Sequence, residues 1–106
     1  MKEIKDIIQP VKLHAVREAL VALPEFPGMS VSHVEGCSAT KDRNDRQLNL
    51  REELIEFSPK IRLEIIAPDE IVDQVVGIIH EVAHTGRTGD GIIWVTVVDD
   101  FLRIRN

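Results

Sequence analysis

Two stretches of this chain repeat the same order of apolar patterns (strand, helix, strand) on either side of a charged segment. Apolar residues at every second position are typical of strands, and apolar residues spaced three and four apart are typical of amphipathic helices. The order β-α-β, loop, β-α-β predicts a ferredoxin-like fold of the α+β class, with an antiparallel sheet and both helices on one face. The expected elements are residues 2–9, 11–23, 29–34, 60–67, 71–84 and 92–97, with a short fifth strand at 101–105.

The segment between the two halves, residues 38–56, shows neither pattern. Between Lys41 and Glu53, eight of thirteen residues are charged, four of each sign. Such a segment cannot bury enough apolar area to offset the entropy of ordering it. We therefore expect a mobile loop, and a loop this long inside a compact domain is usually functional. The alternative, a solvated face without a docking role, stays open.

Length and charge limit the classes of protein to which this chain can belong. Its 106 residues suit one domain, residues 1–106, and its net charge of −5 argues against a nucleic-acid partner. No apolar run reaches the roughly 18 residues of a membrane span, and the first residues are too charged for a signal peptide. The single Cys37 cannot form an intrachain disulfide, so we expect a cytoplasmic protein.

A glycine-rich turn, residues 85–91, lies between the second expected helix and the fourth expected strand. Gly86, Gly89 and Gly91 allow the backbone to turn sharply and to come close to a ligand. Successive N–H groups in such a turn can hold an anion, and Arg87 adds a guanidinium group that suits phosphate oxygens. The turn therefore predicts phosphate binding, although it follows neither the G-x-x-x-x-G-K-[ST] nor the G-x-G-x-x-G pattern.

The chain carries two further candidate sites. Arg103 and Arg105 project to one face of the expected fifth strand, where they form either a phosphate clamp or a charged edge that deters aggregation. His80 and His84 belong to an H-E-x-x-H pattern that could hold Zn²⁺. No third ligand follows at a characteristic spacing, so we expect no metal site. His80 and His84 are the only candidate metal ligands that the sequence offers as a pair. Cys37 is interpreted as a half-buried strand end rather than as a redox or metal-sensing thiol.

Taken together, these segments resemble the PII signal-transduction (nitrogen regulatory) proteins. The resemblance rests on the opening M-K-E-I-K-D-I-I-Q-P, on the second and third expected strands, on the glycine turn and on a tail that ends in R-I-R. It covers nearly the whole chain apart from residues 37–56. It implies a homotrimer with three clefts between subunits, each holding ATP or ADP. It also implies that residues 38–56, the family's T-loop, dock onto a regulated transporter or enzyme.

The resemblance also implies which residues bind the nucleotide. The phosphates would be held by the B-loop, residues 85–91, through Gly86, Arg87, Thr88, Gly89, Asp90 and Gly91, and by Arg103 and Arg105 of the tail. The base of the T-loop would contribute Gly36, Cys37, Ser38 and Lys60. The adenine and ribose end would be lined by Ile7, Ser30, Glu64 and Ile66.

Three departures from the family pattern change these expectations. Thr40 replaces the glutamine that helps to hold Mg²⁺ and 2-oxoglutarate, which argues against binding of either by this chain. The chain has no tyrosine, so uridylylation of the T-loop is excluded. Ile92 stands where a lysine usually follows the last glycine of the B-loop, so one charge for the terminal phosphates is lost. We therefore expect weaker binding or a preference for ADP or AMP.

The sequence thus predicts a divergent PII-like paralogue without enzymatic turnover, in which bound nucleotide selects one arrangement of the T-loop. The second face of the sheet also carries apolar residues, so we expect it to pack against another subunit. One alternative is a trimeric divalent-metal-binding protein of the CutA type that uses His80, His84 and Cys37. A hydrolase that uses the H-E-x-x-H helix is a third reading.

Overall fold

The computed structural model of this chain describes residues 1–37, 57–87 and 89–104. The expected loop 38–56 lies outside the described residues, as do Thr88 and Arg105. The described elements are strand β1 (Lys2–Ile8), a short 3-10 helix (Pro10–Lys12), helix α1 (Leu13–Val21), strand β2 (Ser30–Gly36), strand β3 (Ser58–Ala67), helix α2 (Asp69–Ala83) and strand β4 (Gly91–Val97).

The four strands form one antiparallel sheet in the order β2-β3-β1-β4. Ile4, near the middle of β1, pairs with Ile65 of β3 on one side and with Val95 of β4 on the other. Both helices cover the same face of this sheet, because their apolar stripes are buried in one core with alternate residues of β1 and β3. The predicted ferredoxin-like α+β fold is therefore confirmed.

The core lies between the sheet and the two helices. The alternation predicted for the third strand is present, with Ile61, Leu63, Ile65 and Ala67 all buried. Each fully buried aliphatic side chain contributes about 1.5–3 kcal/mol to folding. The helix side chains that complete the core are Val16, Leu20, Ile71, Val72, Val75, Ile79 and Ala83.

The first turn of α2 is attached to the start of β1 by charge. Asp69 lies in that turn, where the helix dipole favours a carboxylate. Its Oδ1 is 3.0 Å from the N-terminal ammonium of Met1 and 3.4 Å from Nζ of Lys2. Hydrogen bonds from these two cations lower the pKa of Asp69. The first strand and the second helix thus begin at one point of the molecule.

The face of the sheet turned away from the helices, here called the open face, mixes charge with apolar surface. Nζ of Lys5 lies 3.8 Å from Oε1 of Glu3 and 3.9 Å from Oε2 of Glu64, and Nε of Arg62 lies 3.9 Å from the same Glu64 oxygen. Apolar side chains flank this network at Ile7, Ile66, Ile92 and Trp94. That a second subunit packs here stays a prediction.

Each element differs from its expected boundaries by one or two residues at one or both ends, and one expected strand is missing from the described residues. Helix α1 begins at Leu13, two residues later than predicted, because Pro10 opens a 3-10 turn first. Residues 98–104 form no strand, so the expected fifth strand is wrong for the described part of the tail. Leu102 and Ile104 protrude into solvent, since the described chain offers this segment no ladder partner. None of the helices among the described residues is long and apolar enough to cross a membrane.

Candidate functional site

Loop 85–91 connects α2 to β4 and lies close against the end of β1. Gly91 has a φ of +122°, and a Cβ built there would stand 1.8 Å from the carbonyl oxygen of Ile7. A side chain at position 91 would therefore collide with backbone as well as strain its own conformation. In the structure, Gly91 brings the loop close to the chain's own strand β1. That the glycine turn also comes close to a ligand stays a prediction.

The first N–H groups of this loop already hold an anion, the carboxylate of Asp90. Oδ2 of Asp90 accepts the N–H of Thr85 at 2.7 Å and the N–H of Gly86 at 3.0 Å, while the Thr85 hydroxyl donates to Oδ1. The hydroxyl and the N–H of Thr85 together lower the pKa of Asp90 to about 2. Asp90 therefore closes the loop on itself, and these two N–H groups are not open to a phosphate.

The far side of the loop is held through the carbonyl oxygen of Gly89. This oxygen accepts a hydrogen bond from Nε2 of Gln9 at 2.7 Å and another from Nζ of Lys60 at 3.0 Å. Lys60 is only 8% exposed, and its aliphatic stem lies 3.0 Å from where a Cβ of Gly36 would be. The ammonium of Lys60 is thus fixed between the loop and the end of β2.

Around Lys60 lies a cavity of about 590 Å³ that we call the loop hollow. Six of the expected ligand residues line it together. These six are Ile7, Gly36, Cys37, Lys60, Gly89 and Gly91. Val34, Glu35, Arg62 and Ile92 complete the wall. The hollow therefore combines a fixed ammonium group with glycine backbone, which suits an anion.

A second cavity, of about 330 Å³, lies at the base of the tail, and we call it the tail hollow. It brings together four more expected ligand residues, namely Ser30, Glu64, Ile66 and Arg103. The Arg103 guanidinium stands over the Phe101 ring, 5.4 Å from its centroid, a cation–π geometry that holds the side chain in place. Glu3 and residues 27–29 form the rest of the wall.

The two hollows share no lining residue. Lys60 and Ile66 are six positions apart on β3, which corresponds to about 20 Å along a strand. One chain therefore does not bring Lys60 and Arg103 together around one phosphate group. Ile7 lines the loop hollow, whereas the three residues expected with it at the adenine and ribose end, Ser30, Glu64 and Ile66, line the tail hollow.

Six expected ligand residues are not assigned to either hollow, and two of them, Gly86 and Asp90, are hydrogen-bonded to each other within the loop. Arg87 is exposed, and its N–H donates to Oγ1 of Thr85 at 3.2 Å. Ser38, Thr88 and Arg105 lie outside the described residues. Gln9 and Phe101 contact the site residues but were not predicted, because nothing in the sequence links Gln9 to a glycine 80 positions away.

The candidate metal ligands are close to each other but are not joined by a third. The ring centroids of His80 and His84 are 5.6 Å apart at the end of α2. Over residues 1–37, 57–87 and 89–104, no group of three His, Cys, Asp or Glu side chains is placed to hold a metal ion. Cys37 is exposed, so the expectation that it is half-buried is wrong. Position 37 is the last described residue before the charged segment, where the sheet no longer covers it.

The sequence of this chain is similar to that of a known family of proteins. The sequence model of the family described as "Nitrogen regulatory protein P-II" matches residues 1–106. "Nitrogen regulatory protein P-II 1" of Escherichia coli (strain K12) is 42% identical over 105 residues, which cover 99% of this chain and 92% of that protein. The proteins named "Nitrogen regulatory protein P-II" from Haemophilus influenzae and Azospirillum brasilense are 40% and 37% identical over the same shares.

Proposed function

Since this chain belongs to the P-II nitrogen regulatory family, we propose that it binds an adenine nucleotide between copies of itself and thereby controls a partner protein. Members of this family are signalling regulators rather than enzymes, and this chain is one of them. The hydrolase reading of the H-E-x-x-H helix is therefore rejected. The comparisons give no support to the CutA-type alternative.

The division of the expected ligand residues between two hollows is the observation that carries the proposal. Each hollow is half of a site, since one holds Lys60 and the loop backbone and the other holds Arg103 and Glu64. A ligand that needs both cations must lie between two copies, with the loop hollow of one facing the tail hollow of the next. A closed ring of three copies, as the family resemblance implies, completes three such clefts.

The chemistry of each hollow suits one end of a nucleotide. In the loop hollow, the ammonium of Lys60 is held in place by the Gly89 carbonyl and can pair with phosphate oxygens. In the tail hollow, the Glu64 carboxylate can accept hydrogen bonds from ribose hydroxyls, and Ile66 offers apolar contact to the base. Arg103 then reaches across the cleft to the phosphates of the neighbouring half-site.

The number of phosphates that the site accepts is limited by its charges. The charged side chains lining the loop hollow are Lys60, Arg62 and Glu35, and Ile92 adds apolar wall beside the glycines. A carboxylate and an apolar side chain flank the phosphate end. We therefore propose that the binding of ADP or AMP is weakened less than the binding of ATP in this site. Mg²⁺ is not part of the proposal.

The route from nucleotide to partner begins at the base of the charged segment. Gly36 and Cys37 line the loop hollow and directly precede residues 38–56. A nucleotide in the hollow therefore contacts the base of that segment and shifts the population of its arrangements. The partner we propose is a membrane transporter, which the protein meets from the cytoplasm.

Isothermal titration calorimetry of the untagged protein with ATP, ADP and AMP tests the proposal. We expect saturable heat with at least one of them. Arg103→Ala should weaken binding roughly ten- to hundredfold, because a hydrogen bond to a charged group contributes about 1.5–3 kcal/mol. Arg17→Ala is the matched control, since Arg17 is exposed on α1 and lines neither hollow.

Two results would contradict the proposal. One is the absence of heat with all three nucleotides at micromolar protein. The other is equal weakening in the Arg103→Ala and Arg17→Ala variants, which would mean that surface charge in general, rather than the tail hollow, attracts the ligand.

A further inference from the structure

His80 and His84 are two imidazoles at the end of α2 that the proposed nucleotide site does not use. His80 lies in the last turn of the helix, and His84 is the residue that caps it. The N–H of His84 donates to the carbonyl oxygen of His80 at 3.1 Å, which closes that turn. Residues four apart on a helix carry their side chains on the same face. The two rings therefore lie side by side.

The spacing of these rings is close to that of two histidines bound to one metal ion. Their centroids are 5.6 Å apart and their planes are inclined at 59°, so the rings are not stacked on each other. Metal–nitrogen bonds of about 2.0–2.1 Å place the centres of two imidazoles on a tetrahedral ion about 5 Å apart. Side-chain rotation alone can close the difference. Because both rings belong to one chain, their spacing does not depend on how copies of the protein pack.

A carboxylate lies beside this pair of rings. Asp90 is held by the N–H groups of Thr85 and Gly86, at 2.7 and 3.0 Å. Its pKa is lowered to about 2, first by the hydroxyl and the N–H of Thr85, and the nearby charge of His84 adds to this effect. A carboxylate next to a ligating histidine orients the ring and makes its nitrogen a stronger ligand. The ionised Asp90 also favours a cation at this place.

The two histidines open onto a further cavity of about 590 Å³, which we call the helix hollow, between α2 and β4. Asp73 and Asp90 line it together with His80 and His84. Its other side chains are apolar, and within the described part of the chain no lysine or arginine lines it. Since one water takes up about 30 Å³, the helix hollow has room for a metal ion with several water ligands. Its charges suit a cation rather than a phosphate.

We propose that His80 and His84 bind a late first-row divalent metal ion, Zn²⁺ or Cu²⁺, with water in the remaining coordination positions. Imidazole suits these ions, whereas Mg²⁺ and Ca²⁺ prefer oxygen ligands. Over residues 1–37, 57–87 and 89–104 no third side chain joins the pair, so the site is an open, exchangeable one. Because Thr85 and Gly86 directly follow His84, the ion holds the end of α2 against the start of loop 85–91.

Metal titration of the untagged protein without nucleotide tests this site. We expect calorimetry to show saturation by one ion per chain, tighter binding of Cu²⁺ than of Zn²⁺, and no binding of Mg²⁺. His80→Ala and His84→Ala should each weaken Zn²⁺ binding at least about tenfold, a loss that removing even an outer partner of a metal site can cause. His14→Ala and His33→Ala are the matched controls, since they remove the other two histidines, which are exposed.

Amide hydrogen exchange gives a second measurement. The N–H of His84 closes the last turn of α2, so its exchange should slow about tenfold at a Zn²⁺ concentration ten times the Kd. The proposal is overturned if His14→Ala or His33→Ala weakens binding as much as His84→Ala, if Mg²⁺ binds as tightly as Zn²⁺, or if the His84 amide does not respond. His80 and His84 are exposed, so both variants should fold. Nucleotide is absent throughout, so failure of nucleotide binding would not imitate failure of this site.

Discussion

Gly91 and Gly77 differ in what a side chain would meet. A Cβ at position 91 would stand 1.8 Å from the Ile7 carbonyl oxygen, whereas nothing lies within 4 Å of a Cβ at position 77, inside α2. We expect Gly91→Ala to lower the free energy of unfolding by about 3 kcal/mol or more. Gly77→Ala should raise it by about 0.5–1 kcal/mol, because alanine favours a helix. Urea denaturation of both variants measures the two values, and equal effects would contradict the close approach at Gly91.

Single residues also show which features of the site the sequence alone does not predict. The resemblance assigned Lys60 and Gly91 to the ligand site, and both line the loop hollow. It assigned Asp90 to phosphate binding as well, yet the carboxylate is occupied by Thr85 and Gly86. Motif matching identifies positions, whereas the partners of a hydrogen bond depend on the folded path of the chain.

At the scale of elements, hydrophobic periodicity was sufficient for four strands and two helices. Alternation located β3 to within two residues, since one face of that strand is fully buried. The same alternation in the tail, Leu102 and Ile104 against Arg103, predicted a strand that the described residues do not form. A strand requires a neighbouring ladder, and periodicity carries no information about whether one is present. The tail pattern would be consistent with a ladder partner supplied by another copy.

Loop 85–91 is an element whose order depends on one carboxylate. Asp90→Ala removes the acceptor for the N–H groups of Thr85 and Gly86, so their amide exchange should become at least about tenfold faster. Asp100→Ala, an exposed acid in the tail, is the control and should leave both amides unchanged. Nuclear magnetic resonance exchange measurements near neutral pH give the comparison.

The pH dependence of the same loop has a definite sign. The pKa of Asp90 is lowered, to about 2, so its stabilising effect is present above the pKa of an unfolded aspartate and is lost as the pH falls from about 4 through 2. Protection of the Thr85 and Gly86 amides that disappeared at pH 5 would contradict this assignment.

For the whole molecule, the central consequence of the proposed function is that a complete nucleotide site needs two chains. This predicts complementation between variants that are each defective in a different hollow. Lys60→Ala should impair every loop hollow and Arg103→Ala every tail hollow, so each variant alone binds nucleotide weakly. Refolded together at equal amounts, about one quarter of the clefts should pair two intact halves, and tight binding should return at that stoichiometry. Calorimetry on the mixed sample counts these sites. If tight binding does not return, both residues belong to a site within one chain and the proposal is contradicted.

The strand order also determines how far the chain can be divided. Strand β1 comes from the first half of the sequence but lies between β3 and β4, which come from the second. The first half alone would contain two strands that never touch, β1 and β2, with the gap between them left by β3. A protease cut between positions 37 and 57 should therefore leave one particle made of two peptides. Neither peptide would fold without the other, so the protein could be supplied as two separately expressed fragments that assemble on mixing.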